Sequence, residues 1–65
     1  MVSARFAFIY DGDEEVGDVA LYHDGTASVM NYRLGLQHFF DDRETGHEDA
    51  LRYIKTRMTP EPAFR

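Results

Sequence analysis

From Ala4 to Tyr10 apolar side chains alternate along the chain, with Phe6, Phe8 and Tyr10 on one side and Ala7 and Ile9 on the other. That two-residue period predicts a β-strand over residues 4–10. Both sides are apolar, so the strand is expected to lie centrally or to be covered on both faces. Asp11-Gly12-Asp13-Glu14-Glu15 interrupts the pattern as an acidic turn. Alternation resumes over residues 16–22 and 26–32, which flank His23-Asp24-Gly25 as a hairpin. A two-residue Asp-Gly turn would set Leu21 opposite Ser28 and Val19 opposite Met30. A three-residue loop with Gly25 left-handed sets Val19 opposite Val29 and Leu21 opposite Ala27. The second register gathers the branched residues on one face, and a one-residue slip would scatter them. It is the preferred one.

After Gly35 the period lengthens. Leu36, Phe39 and Phe40 fall at i, i+3 and i+4, the stripe of a short helix. Thr45-Gly46-His47-Glu48 matches a capping box, in which the Thr45 oxygen accepts a backbone N–H and Glu48 reaches back. The helix that follows runs to about Met58 with Ala50, Leu51, Ile54 and Met58 on one face, and Glu48 is spaced to pair with Arg52. Pro60 ends it, leaving residues 59–65 as an extended tail. The expected architecture is a small two-layer α+β domain over residues 1–65. It has a three-stranded antiparallel sheet, with its hairpin around His23–Gly25, packed on one or two short helices.

With 65 residues there is room for one domain and little room for a deep cavity, so a binding surface is favoured over an active-site pocket. Phe6, Phe8, Phe39 and Phe40 are the large apolar residues expected to fill the core. The absence of cysteine excludes a disulfide scaffold, a thiolate metal site and a cysteine nucleophile. No apolar run approaches the ~20 residues of a membrane span, and Met1–Arg5 leads into no signal-peptide pattern. A cytoplasmic location is the simplest expectation.

Charge changes the picture most. The net charge of −5 is unevenly spread. Asp11, Asp13, Glu14, Glu15, Asp18 and Asp24 form one acidic run, Asp41, Asp42 and Glu44 a second, and Arg52, Lys55 and Arg57 make the end of the helix basic. Part of this follows from the helix dipole, which favours acids at the start and bases at the end. In an extended segment Asp11, Asp13 and Glu15 would project at ~6.6 Å intervals, an imitation of a phosphate row. In size and charge the chain resembles small acidic phage-encoded inhibitors of host defence, a likeness of type that carries no motif.

Other chemistries fare worse. Asp11, Asp13 and Glu15 fit positions 1, 3 and 5 of a calcium loop, but Val16 stands where that loop needs glycine and Tyr22 where it needs glutamate. His23, His38 and His47 lack the close spacing of a metal motif. Ser3 and Ser28 sit in no nucleophile elbow, and the isolated glycines form no phosphate loop. Direct nucleic-acid binding would need clustered basic residues, which the acidic balance opposes. The leading expectation is a non-enzymatic protein-binding module without cofactor, acting on a larger protein with a basic or nucleic-acid-binding surface. Asp11, Asp13, Glu14, Glu15, Asp18, Asp41, Asp42 and Glu44 would be its contacts, with Tyr22 and Tyr32 as apolar anchors. The alternatives are a homodimeric module closing through its sheet face or a strand edge, and a small histidine-dependent metal site.

Overall fold

The computed structural model describes residues 3–65 and is a small α+β domain with one helix on a five-stranded antiparallel sheet. The strands are β1 (Ala4–Asp11), β2 (Glu14–Tyr22), β3 (Ala27–Asn31), β4 (Leu36–Phe40) and β5 (Ala63–Phe64), in the spatial order β4-β3-β2-β1-β5. The helix α1 (Gly46–Tyr53) continues into a π-helical turn, Ile54–Met58. Three of the strands match the expected ones, and two are additions.

The β2–β3 register is the three-residue-loop alternative: Val19 pairs with Val29 and Leu21 with Ala27. The Tyr22 N–H donates to the Thr26 carbonyl at 2.9 Å, and Gly25 closes the loop at φ 96°. A side chain at Gly25 would also run into the Arg43 carbonyl, so the turn needs glycine for both conformation and space.

Residues 36–40 form a strand where a helix is expected. Their i, i+3, i+4 stripe is also an alternating pattern, with Leu36, His38 and Phe40 on one face. The preceding turn decides between the two. The Asn31 carboxamide oxygen accepts the Arg33 and Leu34 N–H groups at 3.1 and 3.4 Å, and Gly35 turns left-handed at φ 65°. The chain thereby folds back along β3, pairing Asn31 with Leu36 and Ala27 with Phe40.

The terminal segment is extended, and it is also paired. Thr59 is buried, and its hydroxyl donates to Asp11 at 3.1 Å. Beyond the prolines, Phe8 and Arg65 exchange both backbone hydrogen bonds, at 2.8 and 3.0 Å, which seats β5 beside β1.

A bulge in β2 shapes the core. Ile9 pairs with Gly17 and Tyr10 with Glu15, so Val16 is the extra residue and turns inward with Gly17. Ile9, Val16, Val19, Ala27 and Val29 of the sheet meet Ala50, Ile54 and Met58 from the helical layer. A side chain at Gly17 would collide with Met58 and with the Met30 carbonyl, so glycine makes the room that Met58 fills. Leu51, expected on the buried face, is exposed, while Tyr53 packs at the core edge.

The start of the helix is where the capping signal puts it, but the hydrogen bonds differ. The Thr45 hydroxyl donates to Asp49 at 2.9 Å instead of accepting from the backbone. Asp42 takes the capping role for the preceding turn, accepting the Glu44 and Thr45 N–H groups at 2.8 and 3.2 Å. Arg52 pairs with Asp49 at 3.3 Å rather than with Glu48.

Candidate functional site

One helix covers one face of the sheet. The other face is open, and cross-strand register says what lies on it. One row across four strands reads Phe6, Ala20, Ser28, Phe39. The next reads Phe8, Asp18, Met30, Gln37. Residues paired across a sheet share a face, so none of these belongs to the core that Val19 and Val29 build with α1.

The expectation that Phe6, Phe8 and Phe39 fill the core is therefore corrected. Phe6 and Phe39 are 61% and 70% exposed, and Phe8 is exposed beside them. Branched and small residues fill the helix side instead, with Phe40 alone of the four phenylalanines packing against that core. Of the two alternatives that the two-sided apolarity of β1 leaves, the central position is the one found, and cover on both faces is not. It lies inside the sheet, between β2 and β5, with its aromatic face bare.

The open face has relief. Ala20 and Ser28 in the middle of the first row are only 7% and 6% exposed, while the phenylalanines at its ends stand proud. The two outer backbones lie three strand spacings apart, ~14 Å. The result is a shallow trough with a small-residue floor. One wall is Phe39 on β4. The other is Phe6 and Phe8 on β1, whose rings meet edge to face with centroids 5.5 Å apart.

Acidic groups close one end of this trough. Tyr32 extends from the β3–β4 turn and its hydroxyl donates to Asp18 at 2.8 Å. Burial of the phenol, together with this bond to Asp18, pushes the Tyr32 pKa up to about 12. Next to it the Tyr10 hydroxyl donates to Glu15 at 3.1 Å, a bond that raises the Tyr10 pKa, while the Arg65 guanidinium sits 4.5 Å over the Tyr10 ring.

The acidic residues singled out from the sequence do not form one surface. Asp11 and Glu14 face the helix side, where Arg33 pairs with them at 3.2 and 3.4 Å. Glu15 and Asp18 face the open side. Asp13 is exposed in the turn between β1 and β2. Because the chain reverses at Gly12 and Asp13, Asp11, Asp13 and Glu15 do not line up as a row. Asp41, Asp42 and Glu44 lie beyond the far end of β4, against the β2–β3 loop, about the length of β2 away, ~30 Å. Tyr22 is half-buried near that same end, apart from Tyr32.

The histidines are likewise dispersed. His23 and His47 border a depression of about 240 Å3 with Arg5 and Tyr22, and the ring Nε2 of His47 lies 2.9 Å from the Tyr22 carbonyl. His38 packs against Tyr53 on the β4 side, with ring centroids 4.5 Å apart and planes tilted by 43°. Among the described residues, no group of three His, Asp or Glu side chains converges as a metal site. Nor is any helix among them long and apolar enough to cross a membrane.

Sequence reasoning missed Phe6, Phe8 and Phe39 as surface residues. Their alternation with Ala7 and with His38 and Phe40 was the available signal, because a sheet with a single helical layer has one uncovered side. No protein-family model matches the chain, and neither the curated proteins nor the solved structures yield a similar one.

Proposed function

We propose that this protein is a non-enzymatic protein-binding module that docks through the open face of its sheet. The observation that carries the reading is the aromatic trough, where large apolar side chains stand exposed around a floor of small residues. Contiguous exposed apolar surface on a small domain marks an interaction site, and aromatic residues supply most hot spots. Glu15 and Asp18 add charge at one end. The partner is accordingly a larger protein presenting an apolar ridge flanked by basic side chains. Acidic groups on such a rim steer encounter, while the buried aromatics hold the complex. Asp13, Asp41 and Glu44 then contribute at long range through the overall field.

A photo-crosslinking residue at Phe39, compared with one at Lys55 on the helical side, identifies the partner and the face together. Capture from Phe39 alone is expected. With the partner in hand, Phe6→Ser and Phe39→Ser should each weaken binding roughly 30-fold, the equivalent of a hot spot of ~2 kcal/mol. Affinity that survives both changes but falls when Asp13, Asp41 and Glu44 are neutralised would move the function to the acidic ends.

A further inference from the structure

The two edges of the sheet are treated differently by the sequence. The β5 edge is two residues long, is entered through Pro60 and Pro62, and is followed by Arg65. Short strands, prolines and charges are the usual protections against pairing with another chain. The β4 edge has none of them. Leu36-Gln37-His38-Phe39-Phe40 contains no proline, no lysine or arginine, no acid and no bulge, and all five residues are paired to β3 on one side only.

We propose that β4 is a self-pairing edge, and that two copies of this chain join through antiparallel β4–β4 pairing centred on His38. The occupant is a second copy because the strand is complementary to itself. Centring on His38 is the symmetric register that pairs all five residues, setting Leu36 opposite the other copy's Phe40 and Gln37 opposite its Phe39. No like charges oppose within the strand. Asp41 and Asp42 follow β4. In this register they fall opposite the other copy's Gly35 and Leu34, so no acid opposes an acid. Any even-numbered register also keeps both helices on one side, so the sheets merge into one of ten strands. The two aromatic troughs then lie side by side on its open face, in keeping with a two-fold, isologous interface.

A five-residue strand pair buries less than the ~1,200 Å2 of a standard interface, so a reversible dimer is expected. This inference stands independently of the face-docking reading, since it uses the edge and not the face.

The chain has no cysteine, so single-cysteine variants report register directly. Residues directly opposite in an antiparallel pair have Cβ atoms ~5 Å apart, within reach of a disulfide. His38→Cys should form covalent dimer readily under mild oxidation. Leu36→Cys would sit ~13 Å from its mate in this register, by the rise per residue, and should not. Sedimentation of the unmodified protein over a concentration series should show monomer and dimer in exchange. Amide exchange at residues 36–40 should slow as concentration rises, which tests the edge without any substitution. Equal, slow oxidation at 36 and 38 with a monomer at every concentration overturns the proposal. Rapid cross-linking at Phe39→Cys or Phe6→Cys, but not at His38→Cys, overturns it too. In that case two copies meet face to face, and the trough itself is the dimer interface.

Discussion

The two faces of the sheet have nearly the same alternation of residues and opposite fates. On the helix side Ile9, Val16, Val29 and Ile54 are fully buried. On the other side Phe6, Phe8 and Phe39 are larger and comparably apolar, yet they face outward. Hydrophobicity alone does not say which side is covered. Cover comes from the helical layer: Ala27 and Ala50 keep side chains small where α1 meets β3, and Gly17 leaves room for Met58. Among the described residues no helix meets the aromatic side. Under the proposed docking, stability and recognition fall to different faces of the same strands.

The largest test of that division is a matched truncation. Ile54→Ala removes a side chain with no exposure and should cost ~2–5 kcal/mol, by lost burial and the cavity left behind. Phe39→Ala removes a bigger side chain from the open face and should change stability by no more than ~0.5 kcal/mol. Urea denaturation of the two variants checks both. Comparable losses would mean that the open face is part of the core.

Gly17→Ala sharpens the same contrast by adding atoms. Its methyl group would meet the Met30 carbonyl and Met58, so overpacking should cost ~1–3 kcal/mol. An unchanged denaturation midpoint would show that Met58 does not occupy that space.

Deletion of residues 60–65 removes β5 and the reciprocal backbone pair between Phe8 and Arg65. At ~1 kcal/mol per net hydrogen bond, the loss should be about 1–2 kcal/mol, with faster amide exchange at Phe8. A truncated chain as stable as the parent would show the tail to be dispensable, which is what Pro60 and Pro62 suggest by breaking the helix.

That tail illustrates where sequence reasoning runs out. Local signals were readable. The Gly25 loop set the β2–β3 register, and Thr45 marked the start of α1. What could not be read locally is pairing between residues far apart in the chain. Nothing in Ala63-Phe64-Arg65 names Phe8 as a partner, and the link runs through buried Thr59 and Asp11. Residues 36–40 carry two periods at once over a span too short to choose between them. Strand length and the Asn31–Gly35 turn chemistry were the better guide. The acidic residues were the most visible feature and the least decisive, because Asp11, Glu14, Glu15, Asp18 and Asp42 are each engaged within the fold.

The smallest expected effect is a pH dependence at the rim of the trough. The folded-state pKa of Tyr32 is raised to about 12 from an ordinary 10.0. The folded state therefore holds its proton more tightly than the unfolded chain does. The associated stability is fully present below pH ~10 and is lost as pH rises through the folded value. Tyr32→Phe should flatten the alkaline limb of the stability profile. An identical limb in the variant would show that the bond to Asp18 does not form in solution.

The most direct test of the account reads stability and binding in one molecule. In the Phe6→Ser, Phe39→Ser double variant the urea midpoint and the affinity for the cross-linked partner are measured together. The expected result is a midpoint at or near that of the parent and binding weakened at least 30-fold, the equivalent of ~2 kcal/mol. Parent-like affinity, or a variant that fails to fold, would contradict the assignment of recognition to the open face.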